Sequence, residues 1–131
     1  MKPPSGVPLS ILIVTYNSSA LIGALLARLR PEVEAIGAEV IVVDNASHDG
    51  TAEDVAADHP WVRLVASRVN LGFAAGNNLG ARHANGRFLL LLNPDAVPEP
   101  GAIALGVELM QRYPEVGLAG GLLVGADGSL Q

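Results

Sequence analysis

The chain repeatedly ends a short run of β-branched and apolar residues in a polar turn, then follows the turn with a helical pattern. Leu9 to Thr15 (LSILIVT) runs into Tyr16-Asn17-Ser18-Ser19, and Glu39 to Asp44 (EVIVVD) runs into Asn45-Ala46-Ser47-His48-Asp49-Gly50. Arg87 to Leu92 (RFLLLL) stops at Asn93-Pro94-Asp95, where Pro94 cannot donate to a sheet ladder. The four leucines of this last run read as a strand buried on both faces. Strand and helix alternate along the sequence, which selects an α/β fold with a mostly parallel sheet. Ligands of such sheets bind at the carboxyl ends of the strands. The polar strand ends should therefore converge on one edge and form a binding crevice.

Between the strands, Ser18 or Ser19 caps a helix expected to run to about Arg30, with Leu21, Leu25 and Leu29 on one face and Pro31 as its stop. Thr51 with Asp54 resembles a capping box that opens a helix to about Asp58. Trp61 to Ala66 reads as a further strand. Helices are expected over Phe73 to Ala84 and Pro100 to Arg112. Val116 to Val124 reads as a final strand, with a turn at Ala126-Asp127-Gly128. Residues 1–8 are Pro-rich and expected to be flexible; residues 9–131 form one domain.

Composition narrows the partners. Eight Lys and Arg against thirteen Asp and Glu give a formal charge of −5, which argues against nucleic acid. An anionic ligand would need a cation, backbone amides or local arginines. The absence of Cys removes disulfide and thiolate chemistry and fits a reducing compartment. The start, MKPPSGVPLS, lacks the apolar core of a signal peptide, and the apolar runs are too short to span a bilayer.

Several segments carry polar groups suited to a ligand, each with a plainer alternative. Thr15, Tyr16 and Asn17 offer a hydroxyl, a ring and an amide that could hold a base or ribose; alone, such a set is more often a turn with a helix cap. Asp44, with Asn45 beside it, stands where a carboxylate could accept from a base N–H or a ribose hydroxyl, or simply close an Asx-turn. Asp49-Gly50-Thr51 resembles the Asp-Gly-Thr of aspartate-nucleophile phosphatases, but Asp44 is too far from Asp49 for that geometry. A turn plus a helix start fits better. Gly72, Gly76 and Gly80 recur every fourth residue, forming a stripe without side chains. That stripe suits close packing on the sheet, the reading preferred for Gly80, or a phosphate or sugar near Gly72 and Gly76. Arg68 and Arg82 flank this segment and could touch a phosphate. His48, His59 and His83 lack metal-ligand spacing. Asp95 either caps its turn or holds a hard cation.

Taken in order, VTYNS, EVIVVDNASHDGT, NLGFAAGNNLG, LLLLNPDA and DGSLQ resemble the family 2 glycosyltransferases, closest to their rhamnosyltransferase-like branch. The resemblance implies a Rossmann-like GT-A fold, a nucleoside-diphosphate sugar as donor and Mg²⁺ or Mn²⁺ as cofactor. By position it assigns Thr15, Tyr16, Asn17, Asp44, Asn45, Asn70, Gly72, Phe73, Asn77 and Asn93 to the nucleotide-sugar site, and Asp95 to the metal. Asn93 departs from the family's Asp-x-Asp pattern, which leaves Asp95 as the carboxylate ligand.

The implied reaction is inverting transfer of a sugar, rhamnose being one candidate, to a glycan or lipid-linked acceptor in cell-wall or polysaccharide synthesis. Such a transfer needs neutralisation of the leaving diphosphate and a general base for the acceptor hydroxyl. The family's base lies well downstream of the Asp-x-Asp position, so it is expected beyond Gln131. The chain is accordingly expected to be the donor-binding half of a GT-A domain truncated at its C-terminus. It would be cytoplasmic, with any peripheral contact to the inner membrane face made by the missing region. The rival expectation is a non-catalytic α/β module, left by truncation, that binds a nucleotide or a partner.

Overall fold

The computed structural model describes residues 6–131. Strand β1 (Leu9–Thr15) is paired on one side with β2 (Glu39–Asn45) and on the other with β4 (Phe88–Leu91), while β3 (Arg63–Ser67) lies outside β2. Every pairing is parallel, in the order β3-β2-β1-β4. The helices between them are α1 (Ser19–Ile36), α2 (Thr51–Asp58) and α3 (Gly72–His83), with α4 (Ala102–Arg112) after β4. Alternate side chains of the strands point to opposite faces and build two apolar layers. Leu9, Ile11, Ile13, Val40 and Val42 pack with Ile22, Leu25, Leu26, Leu29 and Val33 of α1, Val55 of α2 and Ile103 of α4. On the other face Leu12, Ile41 and Val43 pack with Ala84 and with Leu79 and Ala81 of α3.

The α/β class, the parallel sheet and its flanking helices agree with the sequence; several details do not. Helix α1 continues through Pro31 to Ile36 and ends at Gly37 (φ 70°), where Ala38 N donates to Val33 O at 3.0 Å. A proline inside a helix costs about 3 kcal/mol. Here Pro31 and the Ala27 carbonyl it deprives of a donor both lie on the exposed side, while Leu29 and Val33 on the opposite side stay buried. Burial of the second half outweighs the missing bond. The expected capping box is not formed. Gly50 (φ 88°) is the cap of α2, and Thr51, the first helical residue, turns its hydroxyl elsewhere. Strand β3 begins at Arg63 rather than Trp61.

β4 is not buried on both faces. Phe88, Leu90 and Leu92 join the larger core, whereas Leu89 (47%) and Leu91 (51%) are exposed, because α3 packs over β1 and β2 and leaves the edge strand uncovered. Val116 to Val124 forms no strand. Interrupted by Gly117, Gly120 and Gly121, it meets no sheet edge and makes only an antiparallel bridge between Val124 and Leu130. The expected turn within that bridge is present: Gly128 N donates to Gly125 O at 2.9 Å. The flexible segment expected over residues 1–8 lies outside the described residues as far as residue 5. Val7 and Pro8 are tied to the start of β4 by their carbonyls, which accept from Arg87 N and Phe88 N.

Candidate functional site

The register aligns Thr15 with Asp44 at the carboxyl edge of the sheet. Both side chains are buried, and Thr15 Oγ1 lies 3.1 Å from Asp44 Oδ1. The same Oδ1 accepts from Ser47 Oγ at 2.6 Å, and Oδ2 accepts from Ser47 N at 3.1 Å. These bonds use three of the roughly four acceptor positions of a carboxylate, so Asp44 keeps capacity for a further donor. Among the described residues it forms no ion pair; the partners given above are two hydroxyls and a backbone amide.

Beyond the strand ends, two loops lock together. Asn17 adopts a left-handed backbone (φ 49°), as does Ala46 facing it from the other loop (φ 62°). Asn17 Oδ1 accepts from His48 N at 2.9 Å, and Asn17 N donates to Ser47 Oγ at 2.8 Å. A chain of hydrogen bonds thus runs from the Asn17 amide through the Ser47 hydroxyl to Asp44. Asn tolerates the left-handed region, whereas Ala there is strained and must be held by these bonds. Tyr16, between Thr15 and Asn17, is 49% exposed and presents its ring at the edge.

Asn45 faces the other way and organises the Gly-rich segment. Its Nδ2 donates to Gly72 O at 3.0 Å and its Oδ1 accepts from Leu71 N at 3.3 Å, while Asn70 Oδ1 accepts from Gly72 N at 2.9 Å. Gly72 sits at φ 80°, a conformation only glycine adopts without strain. A Cβ on Gly76 would lie 2.9 Å from Val14 Cγ1 and one on Gly80 3.2 Å from Val43 Cγ2. Both glycines therefore serve close packing of α3 on the sheet, which for Gly76 replaces the ligand role weighed above. Asn77 is buried and its Nδ2 donates to Phe73 O at 3.0 Å, whereas the Phe73 ring is 59% exposed. Arg68 follows the carboxyl end of β3, but Arg82 is carried by α3 to the opposite edge of the sheet, away from these groups.

Asn93 and Asp95 follow β4 on the same edge, both exposed, in a turn closed by Ala96 N donating to Asn93 O at 3.0 Å. Asp95 lines a cleft of about 140 Å³ against Ala20, Leu21, Ala24 and Arg28 of α1. A larger apolar cleft, about 290 Å³, lies between α1 and the start of α4 and includes none of the assigned residues. Among the described residues, no three His, Cys, Asp or Glu side chains converge as a metal cage. A single carboxylate beside an amide oxygen suits Mg²⁺ or Mn²⁺ when phosphate oxygens and water complete the shell, so the donor set fits a metal shared with a ligand.

Thr15, Tyr16, Asn17, Asp44 and Asn45 are thus brought together at one edge, Asn70, Gly72 and Phe73 are joined to them through Asn45, and Asn93 and Asp95 flank them across β1. Sequence reasoning missed Ser47, Asp49 and Thr51 as part of this assembly. The signal was present in the alternation Asp44-x-x-Ser47-x-Asp49-x-Thr51, which puts an acceptor or hydroxyl at nearly every second position.

Residues 10–130 match the family described as glycosyl transferase family 2. The chain is 29% identical over 133 residues to N-acetylglucosaminyl-diphospho-decaprenol L-rhamnosyltransferase of Mycobacterium tuberculosis, covering 93% of this chain and 43% of the relative. Its structure resembles the mannosyltransferase PcManGT from Pyrobaculum calidifontis in complex with GDP-Man and Mn²⁺, with a TM-score of 0.71 and 31% identity over 82% of this chain and 33% of that one. It also resembles S. aureus TarS 1-349 in complex with UDP-GlcNAc, at TM-score 0.69 and 26% identity, over 82% of this chain and 32% of the other. The chain spans less than half the length of each of these proteins.

Proposed function

The chain belongs to glycosyl transferase family 2, and we propose on that footing that its sheet edge holds a nucleoside-diphosphate sugar for transfer to a glycan or lipid-linked hydroxyl. The observation that carries this reading is Asp44: a buried carboxylate at a strand end, fixed by Thr15 and Ser47, with acceptor capacity left over. Such a group suits a base N–H or a pair of ribose hydroxyls. The exposed Tyr16 ring beside it offers a stacking face for the base. Gly72 and Phe73, anchored through Asn45, would flank the sugar-phosphate portion, and Asn77 would support them from within α3.

The diphosphate would bring negative charge to an edge that already carries Asp44 and Asp95, with Arg28 lining the cleft beside Asp95. Asp95 and Asn93 would hold Mg²⁺ or Mn²⁺, which when bound neutralises the leaving diphosphate. The neighbour in complex with GDP-Man and Mn²⁺ supports the use of a divalent cation. Transfer is proposed to invert the sugar carbon. The mycobacterial relative's name supports a deoxysugar such as rhamnose and a lipid-linked acceptor. We assign the general base to no residue of this chain and expect it, as the family resemblance implies, beyond Gln131. No helix among the described residues is long and apolar enough to cross a membrane.

Calorimetry with dTDP, UDP and GDP in the presence of Mn²⁺ tests the reading. One of the three is expected to bind, and Asp44→Asn is expected to weaken that binding roughly tenfold to a hundredfold, the worth of a hydrogen bond to a charged group. Binding by none of them to the folded chain would reject it. A second reading, a non-catalytic module that takes a protein partner, draws on the exposed Leu118 (90%), Leu122 (76%) and Leu130 (71%). Transfer or hydrolysis of a radiolabelled nucleotide-sugar by this chain would exclude that alternative.

A further inference from the structure

Helix α1 begins with amides that its own cap does not satisfy. Ser18 occupies the cap position, yet its hydroxyl makes no bond to the helix and donates instead to Tyr16 O at 3.2 Å. No acidic residue lies in the first turn. The missing acceptors arrive from the β2–α2 loop and the first turn of α2, some thirty residues along the chain. Asp49 Oδ2 accepts from Ser19 N at 3.0 Å, and Thr51 Oγ1 accepts from Ser18 N at 2.9 Å. Thr51 then donates its own proton to Asp49 Oδ1, which also accepts from Thr51 N at 3.1 Å. Asp54 Oδ2 accepts from Ser19 Oγ at 2.7 Å. One carboxylate thus fixes the start of α1 directly and through Thr51, at the helix end where the macrodipole favours negative charge.

We propose that Asp49 is a positioning residue: with Thr51 it clamps the start of α1 and so holds the β1–α1 loop, Tyr16 and Asn17 included, in register with Asp44. The geometry is suited to this task. Tyr16 and Asn17 are the only residues between Thr15, fixed in the sheet, and Ser18, fixed by Thr51. With both ends held and Asn17 bonded to Ser47 and His48, the backbone that carries Tyr16 is held against the β2–α2 loop. Asp49 is exposed, touches none of the residues assigned to the ligand, and acts through the backbone amides it receives. The Thr51 hydroxyl holds its carboxyl below the ordinary value of 3.8, and the Ser19 and Thr51 amides lower it further, against the opposing effect of burial. The clamp is therefore charged at neutral pH. The part of the inference that concerns ligand affinity rests on the donor-site reading above; the part that concerns the loop does not.

The test is amide hydrogen exchange on the full chain, read at Ser18 and Ser19, for wild type, Asp49→Ala, Thr51→Val and Thr51→Ser. Removing either acceptor is expected to speed exchange at these amides about tenfold, as loss of a helix cap does, while amides in β2 stay protected. Thr51→Ser keeps the hydroxyl and should restore wild-type protection, which a loss of methyl packing alone would not explain. In parallel, calorimetry with the nucleoside diphosphate that wild type binds in Mn²⁺ should show weaker affinity for Asp49→Ala and Thr51→Val, and near wild-type affinity for Thr51→Ser. Unchanged exchange at Ser18 and Ser19 in both Asp49→Ala and Thr51→Val overturns the proposal. So does altered exchange with unaltered affinity. If wild type binds no nucleotide, the donor-site reading fails, and the exchange data alone decide whether the clamp exists. Should Asp49→Ala not fold, the Thr51→Val and Thr51→Ser pair carries the same decision.

Discussion

Ala46 and Asn17 share an uncommon backbone geometry on facing loops, and together they show how side chains hold this edge in shape. The left-handed region costs a β-carbon-bearing residue roughly 1–2 kcal/mol. Ser47 N, next to Ala46, donates to Asp44, and Ser47 Oγ joins Asp44 to Asn17. Ser47→Ala should therefore release both loops at once, lowering the thermal midpoint and weakening nucleotide affinity; Ala46→Gly should be tolerated, since it relieves the strain. Differential scanning calorimetry of the two variants checks this pair of outcomes. At this scale the sequence showed which residue types stood at the strand ends. It did not show their partners, because the deciding bonds join Asn17 to Ser47 and His48, or Ser19 to Asp49, across about thirty residues. Asp44 was legible because a carboxylate ending a buried run stands out. Asp49 looked like one more turn residue.

At the level of elements, local pattern served well where one element determined its own fate. β1, β2 and α2 run over nearly the residues their patterns indicate, and the glycines of α3 pack as a side-chain-free stripe. Pattern failed where burial depended on a neighbour not adjacent in sequence. Pro31 looked like a stop because helix propensity is local, whereas Val33 is buried by tertiary packing with the sheet. Pro31→Ala should restore the missing helical bond and raise the unfolding free energy, measured by urea unfolding, by no more than the roughly 3 kcal/mol that proline costs in a helix interior. β4 looked doubly buried because four leucines cannot reveal that their strand lies at the edge of the described sheet. Gly76→Ala should lower stability by about 1–3 kcal/mol despite the better helix propensity of Ala, since the new methyl would press on Val14 and Asn45. Urea unfolding of that variant, with Gly106→Ala as a control whose Cβ would meet nothing within 4 Å, separates packing from propensity.

The whole molecule has two polar edges with different tasks. At the amino edge of the sheet, Glu39 gathers Ser10 Oγ at 2.6 Å and Asn85 N at 2.6 Å, while Ser10 Oγ in turn accepts from Gly86 N at 2.7 Å. Burial acts to raise the Glu39 carboxyl, but the bonds from Ser10 and Asn85 and the nearby Arg63 charge outweigh it and lower it below its ordinary 4.5. A group depressed in the folded state contributes stability above its unfolded value and loses that contribution as pH falls through the folded value. Stability should accordingly fall on acidification below pH 4.5, and Glu39→Gln should flatten that part of the profile of unfolding midpoint against pH. The carboxyl edge is where the ligand chemistry is proposed. With Asp44 and Asp95 on either side of β1, an anionic diphosphate is proposed to settle there together with a cation. Titration of the chain with its preferred nucleoside diphosphate, in Mn²⁺ and again in EDTA, for wild type and Asp95→Ala, addresses that proposal most directly. Binding to wild type that is strong in Mn²⁺ and lost both in EDTA and in Asp95→Ala is the predicted result; binding of equal strength in all of these conditions would contradict it.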